Sequence, residues 1–172
     1  MSALWITPTQ MEQIIQHALD VRPNEACGLL LGTNGQVAEV IRAANSAAEP
    51  YQRFRIDDAS LATYGHAAIG FYHSHPQGHA LPSRSDIQES CYPEHVYLIV
   101  GLKRSPAELA AWRFDRGRME RVTLHISNQP AAPDEPPPTT AQKAAIILAV
   151  ALGMLLVVSI ALTLLPAAPP IP

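Results

Sequence analysis

Cysteine is scarce in this chain of 172 residues: there are two, Cys27 and Cys91, and no Cys-x-x-Cys pair. That usage argues against a zinc ribbon or a disulfide framework, and the expectation is two free thiols in a reducing cytoplasm. Cys27 lies two residues from Glu25, so it either lines a site there or fills a small apolar space in the core. Charge is sparse as well, 16% of residues with a formal net of −3. No long Lys/Arg run and no interleaving of Arg with aromatics occurs, so there is no case for a nucleic-acid partner. The first ten residues lack the basic start and apolar run of a secretory signal peptide. His-x-Glu and Pro-Cys-x-x-Cys are both missing, which puts zinc deaminase chemistry far down the order of readings.

What is present is concentrated in Phe71-Tyr72-His73-Ser74-His75-Pro76, with Ser83 and Asp86 downstream. On a strand, residues two apart point to the same face, so His73 and His75 can reach one ion. Pro76 cannot continue a ladder, so the strand stops there and leaves the rings at its end. Asp86 supplies a third ligand. Two His and one carboxylate leave a fourth tetrahedral position for water, the pattern of a catalytic rather than a structural zinc site. Ser83 is placed to cap a helix beginning at Arg84, with Asp86 in its first turn. That cap is compatible with function, because it can fix the Asp86 carboxylate toward the metal. His79 is a further imidazole nearby, but its spacing fits no three-ligand pattern.

With Glu25 upstream, the string Glu, His-Ser-His-Pro, Ser-x-x-Asp resembles the JAMM motif of the MPN domain metalloproteases. The resemblance covers roughly residues 5–127 and includes the Pro-x-Glu-x-Cys-Gly run at Glu25. The short length is similar to the bacterial and archaeal branch. The resemblance implies one Zn²⁺ per chain on His73, His75 and Asp86. It implies Glu25 as general base and Ser83 as oxyanion donor. It also implies cleavage of a peptide or isopeptide bond after the C-terminal Gly of a ubiquitin-like or sulfur-carrier protein. The competing reading is a non-catalytic MPN module, anchored to a membrane and used for binding or scaffolding. The complete ligand set argues against it, and stoichiometric zinc would discriminate the two.

Along the chain, Thr9-Gln10-Met11-Glu12 reads as a capping box for an amphipathic helix over 10–20. Residues 26–32 and 36–42 read as strands joined at Asn34-Gly35, a strong hairpin signal. Glu25 sits at the strand entrance. Residues 53–56 alternate as a short strand, and Asp57 caps a helix over 58–67. Strands are expected over 68–75, 95–100, 109–114 and 119–126, with His95 and His125 as sheet residues. The element order fits an α+β fold in a three-layer α/β/α arrangement, a mixed sheet flanked by helices. The MPN resemblance implies the same.

The expected organisation is a catalytic domain over 1–127, a linker over 128–143, a span over 144–165 and a short tail over 166–172. Residues 128–140 hold five prolines. The uncharged stretch that follows is long enough to cross the roughly 30 Å hydrocarbon core as a helix. All Lys and Arg lie on its N-terminal side, so the positive-inside rule keeps the catalytic domain in the cytoplasm. The expected protein is therefore a membrane protein with a single-pass C-terminal anchor.

Overall fold

The computed structural model describes residues 3–89, 92, 94–115, 117–129 and 139–164. The chain divides into two units, 1–131 and 132–172. In the first, β1 (Ala3–Ile6) leads into α1 (Pro8–Asp20). Then come β2 (Cys27–Thr33), β3 (Gln36–Ala43), α2 (Asp58–Tyr64) with a 3-10 turn at Gly65–Ala67, and β4 (Ala68–His75). α3 (Arg84–Glu89), β5 (Val96–Gly101), β6 (Glu108–Asp115) and β7 (Arg118–Ile126) complete it.

The strands run β1-β3-β2-β4-β5-β6-β7 and close into a barrel. The pairs β4–β5, β1–β7 and β1–β3 are parallel, and the other neighbours are antiparallel. The mixed sheet with helices agrees with the α+β expectation. The three-layer arrangement is modified, because the sheet closes: β1 pairs with β7 along its length and touches β3 at Trp5–Gln36. A four-residue strand ahead of a helix gives little periodic signal, yet it is the piece that closes the sheet.

Local chemistry explains most boundaries. Asn34 (φ 50°) and Gly35 (φ 81°) both take the left-handed conformations that a two-residue hairpin needs. The first helix is capped by Thr7, not Thr9. Thr7 Oγ1 accepts from Gln10 N at 3.2 Å, and Gln10 Oε1 accepts from Thr7 N at 2.9 Å. Pro8 follows at the first helical position, where its missing N–H costs nothing. Residues 53–56 form no strand; only Ile56 bridges, to Asn45. Asp57 does cap α2, accepting from Ser60 N at 2.8 Å, but the regular helix ends at Tyr64. His95 precedes β5 rather than lying in it. His125 is in β7, stacked on Trp5 at 3.9 Å.

β4 and β5 are buried on both faces, which is why they read as near-continuous apolar runs. Tyr72, Leu98 and Val100 pack with Ile14 and Ala18 of α1 and with Leu4 and Leu30. On the opposite face of β4, Phe71 packs with Cys27, Leu29, Ile56 and Tyr97. Each fully buried Leu or Val contributes about 1.5–3 kcal/mol relative to exposure. His73 and His75 follow Phe71 on that second face.

In the second unit, α4 runs Thr140–Leu164. Thr139 caps it: Gln142 N donates to Thr139 Oγ1 at 3.2 Å, and Thr139 N donates to Gln142 Oε1 at 2.8 Å. The helix therefore starts before residue 144, inside the expected linker. Its stretch Thr140–Ile160 is long and apolar enough to cross a membrane. Linker residues 130–138, the last span residue 165 and the tail 166–172 lie outside the described residues, as does Cys91.

Candidate metal centre

The register of β4 brings the two imidazoles together as the i, i+2 spacing requires. His73 Nε2 and His75 Nε2 are 3.1 Å apart. Asp86, from the first turn of α3, reaches both: Oδ1 lies 3.3 Å from His73 Nε2 and Oδ2 lies 3.2 Å from His75 Nε2. The three donor atoms lie within 4.8 Å of one another. Ser83 fixes the carboxylate through a reciprocal cap. Ser83 N donates to Asp86 Oδ2 at 2.7 Å, and Asp86 N donates to Ser83 Oγ at 3.1 Å.

Each ligand is also held from behind. The His75 ring bonds through Nδ1 to the His79 carbonyl at 3.0 Å. A carbonyl can only accept, so Nδ1 carries the hydrogen and a neutral ring offers its Nε2 lone pair. His73 is fully buried, with the Phe54 ring stacked on it at 4.2 Å and 13°. The alternating segment around Phe54 suggests a strand; off the ladder, Phe54 lies flat on the His73 ring instead. Ser74 holds the neighbouring strand end: its Oγ accepts from Ala26 N at 2.9 Å, and its N–H donates to Ala26 O at 3.0 Å.

The neighbours of each group shift its protonation. Burial pulls the His73 pKa down, against the Asp86 charge, which favours the neutral ligand form. Burial works against ionised Asp86, but the charge and hydrogen bonds of His73 and His75 hold its carboxyl far below the ordinary range. His75 is drawn down by burial and up by Asp86, Glu25 and the His79 carbonyl, with a net rise. Two imidazoles and a carboxylate this close in a dry space must share protons or hold a cation between them. Two imidazoles and one carboxylate are the donor set of catalytic zinc, so the residues fit that ion.

Glu25 enters from the segment before β2. Its backbone is tied down, with N donating to Pro50 O at 2.7 Å and its carbonyl accepting from Asn45 Nδ2 at 3.0 Å. The side chain is 6% exposed, and Oε2 is buried without a hydrogen-bond partner among the described residues. Burial, with a smaller push from Asp86 and an opposing pull from His75, raises its pKa to about 7. Glu25 and His75 line one cleft of about 400 Å³ with Tyr51, Gln52 and Pro76. Asp86 and Ser85 line another of about 520 Å³ with Phe54, Phe71, Tyr92 and Tyr97.

The remaining candidates fall outside the cluster. His79 lies outside the cluster, and its Nδ1 meets Glu108 Oε2 at 2.9 Å. Cys27 is fully buried in the core beside Leu29 and Phe71. Its thiol is pushed up to about 12 by burial, so it is an inert packing residue rather than a reactive one. Phe54 and Glu108 were not legible as site residues. The only signal at Phe54 was an alternation that suggested a strand, and Glu108 is far away in sequence.

A closed mixed barrel with a His-x-His strand end, a helix-capped Asp and a buried Glu defines a JAB-type metallopeptidase. The chain belongs to the family described as prokaryotic homologs of the JAB domain, which it matches over residues 8–115. It is a hydrolase of the JAMM metallopeptidase class. It is similar to the desampylase of Haloferax volcanii, 33% identical over 113 residues covering 57% of this chain and 80% of that protein. It is also similar to the CysO-cysteine peptidase of Mycobacterium tuberculosis, 27% identical over 126 residues covering 67% of this chain and 86% of that one. A solution structure of a Desulfitobacterium hafniense protein shares the fold with TM-score 0.67 and 26% identity, covering 74% of this chain and 95% of that one.

Proposed function

We propose that this protein is a membrane-tethered, zinc-dependent peptidase or isopeptidase. Its bond of choice follows the C-terminal Gly of a ubiquitin-like or sulfur-carrier protein. The observation that carries the reading is the buried Glu25 carboxyl, one oxygen unpaired, sharing a cleft with His75. The names of the relatives, a desampylase and a CysO-cysteine peptidase, support the substrate class.

Zinc on His73, His75 and Asp86 would supply Lewis acidity for the scissile carbonyl and lower the pKa of a water to about 7. Glu25 takes the proton from the attacking water and returns it to the departing amine. In the metal-free site this carboxyl is raised to about 7, so it is poised to hold or release a proton near neutral pH. Ser83 Oγ accepts the Asp86 N–H and sits 2.8 Å from Ser85 Oγ. Its hydrogen is the one to turn toward the oxyanion, an interaction of roughly 3 kcal/mol in comparable sites. Because Glu25 protonates the amine, the cleft it lines takes the leaving side. The aromatic cleft beside Asp86 then takes the acyl side.

The same reading places α4 in a lipid bilayer with the barrel in the cytoplasm. Its length, its apolar surface and the bias of Lys and Arg to its N-terminal side support that placement. Protease added outside spheroplasts should leave the barrel intact, and its degradation would contradict the orientation. For the chemistry, purified Glu25→Gln protein should keep its zinc and retain an uncleaved ubiquitin-like conjugate. Turnover at the parent rate by that variant would remove Glu25 from the mechanism.

A further inference from the structure

Three strands place His75, Gly101 and Glu108 in one row. His75 of β4 pairs with Gly101 of β5, and Gly101 pairs with Glu108 of β6. The middle place carries no side chain. A Cβ at Gly101 would fall 2.8 Å from His79 Cα and closer still to the Ala80 nitrogen. The loop after Pro76 therefore lies directly on the strand at that point, over the gap. Backbone bonds pin its two sides: Lys103 N donates to Gly78 O at 3.1 Å, and Trp112 Nε1 donates to Ala80 O at 3.1 Å.

His79 spans this row with its two ends. Its carbonyl takes the His75 Nδ1 hydrogen at 3.0 Å, and its ring Nδ1 meets Glu108 Oε2 at 2.9 Å. The other Glu108 oxygen lies 3.4 Å from Arg104 Nη1, and the Ala80 N–H also supports the carboxylate. The His79–Glu108 contact is about one-third exposed on each side. Its worth as a surface ion pair is small. Its position is what matters: it holds the residue whose carbonyl sets the tautomer and plane of a metal ligand.

We propose that Glu108 and His79 are positioning residues, a strut from β6 across Gly101 that orients His75 for metal binding. The proposal rests on His73, His75 and Asp86 being the metal ligands. Groups that orient a ligating imidazole typically change metal affinity by about 10–100-fold when removed. Glu108→Ala frees the His79 ring, and His79→Ala removes it. Both leave every ligand and the carbonyl itself in the chain. Both changes break one device, so their effects should overlap rather than add.

The experiment titrates Zn²⁺ into metal-free full-length protein in detergent against a competing chelator, with thermal melts of the metal-free form alongside. Glu108→Ala and His79→Ala should each weaken zinc by about three- to tenfold, and the double variant should be no weaker than the worse single one. Glu108→Gln keeps an acceptor for the ring and should recover most of the affinity. In the Co²⁺ form, the visible absorption bands should shift in Glu108→Ala, as a changed imidazole geometry requires. Zinc constants within twofold of the parent would overturn the strut, as would losses that add, or a lowered melting temperature with unchanged zinc affinity. A parent protein that binds no zinc would instead overturn the ligand assignment beneath it.

Discussion

Strand β4 buries polar groups on both of its faces, and the two faces treat them differently. Toward α1, the Tyr72 hydroxyl meets His17 Nδ1 at 2.8 Å, so the two groups satisfy each other. Toward the clefts, His73 and His75 crowd Asp86 at 3.3 and 3.2 Å, while Glu25 Oε2 and His73 Nδ1 have no partner among the described residues. Burying an unpaired polar atom costs about 1–3 kcal/mol. A fold keeps that cost where the atom is needed for something outside the fold. The paired face is built for stability and the unpaired face for chemistry, on alternate residues of one strand.

The largest effect that could break this contrast is at Glu25. Glu25→Gln should lower turnover by about 10²–10⁴-fold, the range for a general base, measured on a fluorogenic ubiquitin-like C-terminal amide. The same change should stabilise the metal-free protein at alkaline pH. Burial raises the Glu25 pKa from 4.5 to about 7. The folded state thus holds the proton longer than the unfolded one, and stability falls as pH rises from 4.5 through about 7. The variant should lack this decline and gain up to about 3 kcal/mol at pH 8, read by denaturant melts. Equal stability at pH 8 would place Glu25 in an unstrained environment.

On the opposite face the signs reverse. Tyr72→Phe leaves the buried His17 nitrogen without its partner and should cost about 1–3 kcal/mol of stability. It should leave zinc affinity unchanged, since it touches no group of the cluster. A loss of zinc affinity in that variant would show that the faces are not independent. The smallest effect is the pH dependence of His17. Burial, helped by Arg42 and opposed by Asp20, lowers its pKa below 6.5. Above pH 6.5 both states are neutral there and its contribution is intact. As pH falls below that value the unfolded chain is protonated first, and stability is lost. His17→Gln should flatten the thermal-melt profile between pH 6.5 and 5.

The unpaired face was the more legible of the two. Two-residue spacing at His73 and His75, a stop at Pro76 and a cap at Ser83 are local chemistry, and local chemistry reads directly from sequence. The same holds for the Asn34-Gly35 turn. Thr9-x-x-Glu12 reads as a capping box, but Thr7 begins a Thr-x-x-Gln string of its own, and Pro8 at the first helical position marks Thr7 as the cap. What could not be read depends on pairings distant in sequence. β1 closes the barrel only through β7, more than a hundred residues on. Phe54 sits in an alternating run that suggests a strand, and only the folded loop turns its ring onto His73. Gly101 and Glu108 carry no motif; their place beside His75 exists only once β4, β5 and β6 are side by side.

Zinc content is the most direct test of the centre itself. Full-length protein purified in detergent, dialysed against trace zinc and analysed by mass spectrometry of the metal should carry one zinc per chain. Asp86→Ala, folded by circular dichroism, should carry almost none. A parent chain without zinc, or an Asp86→Ala protein that retains it in full, would contradict the convergence of His73, His75 and Asp86 on one ion.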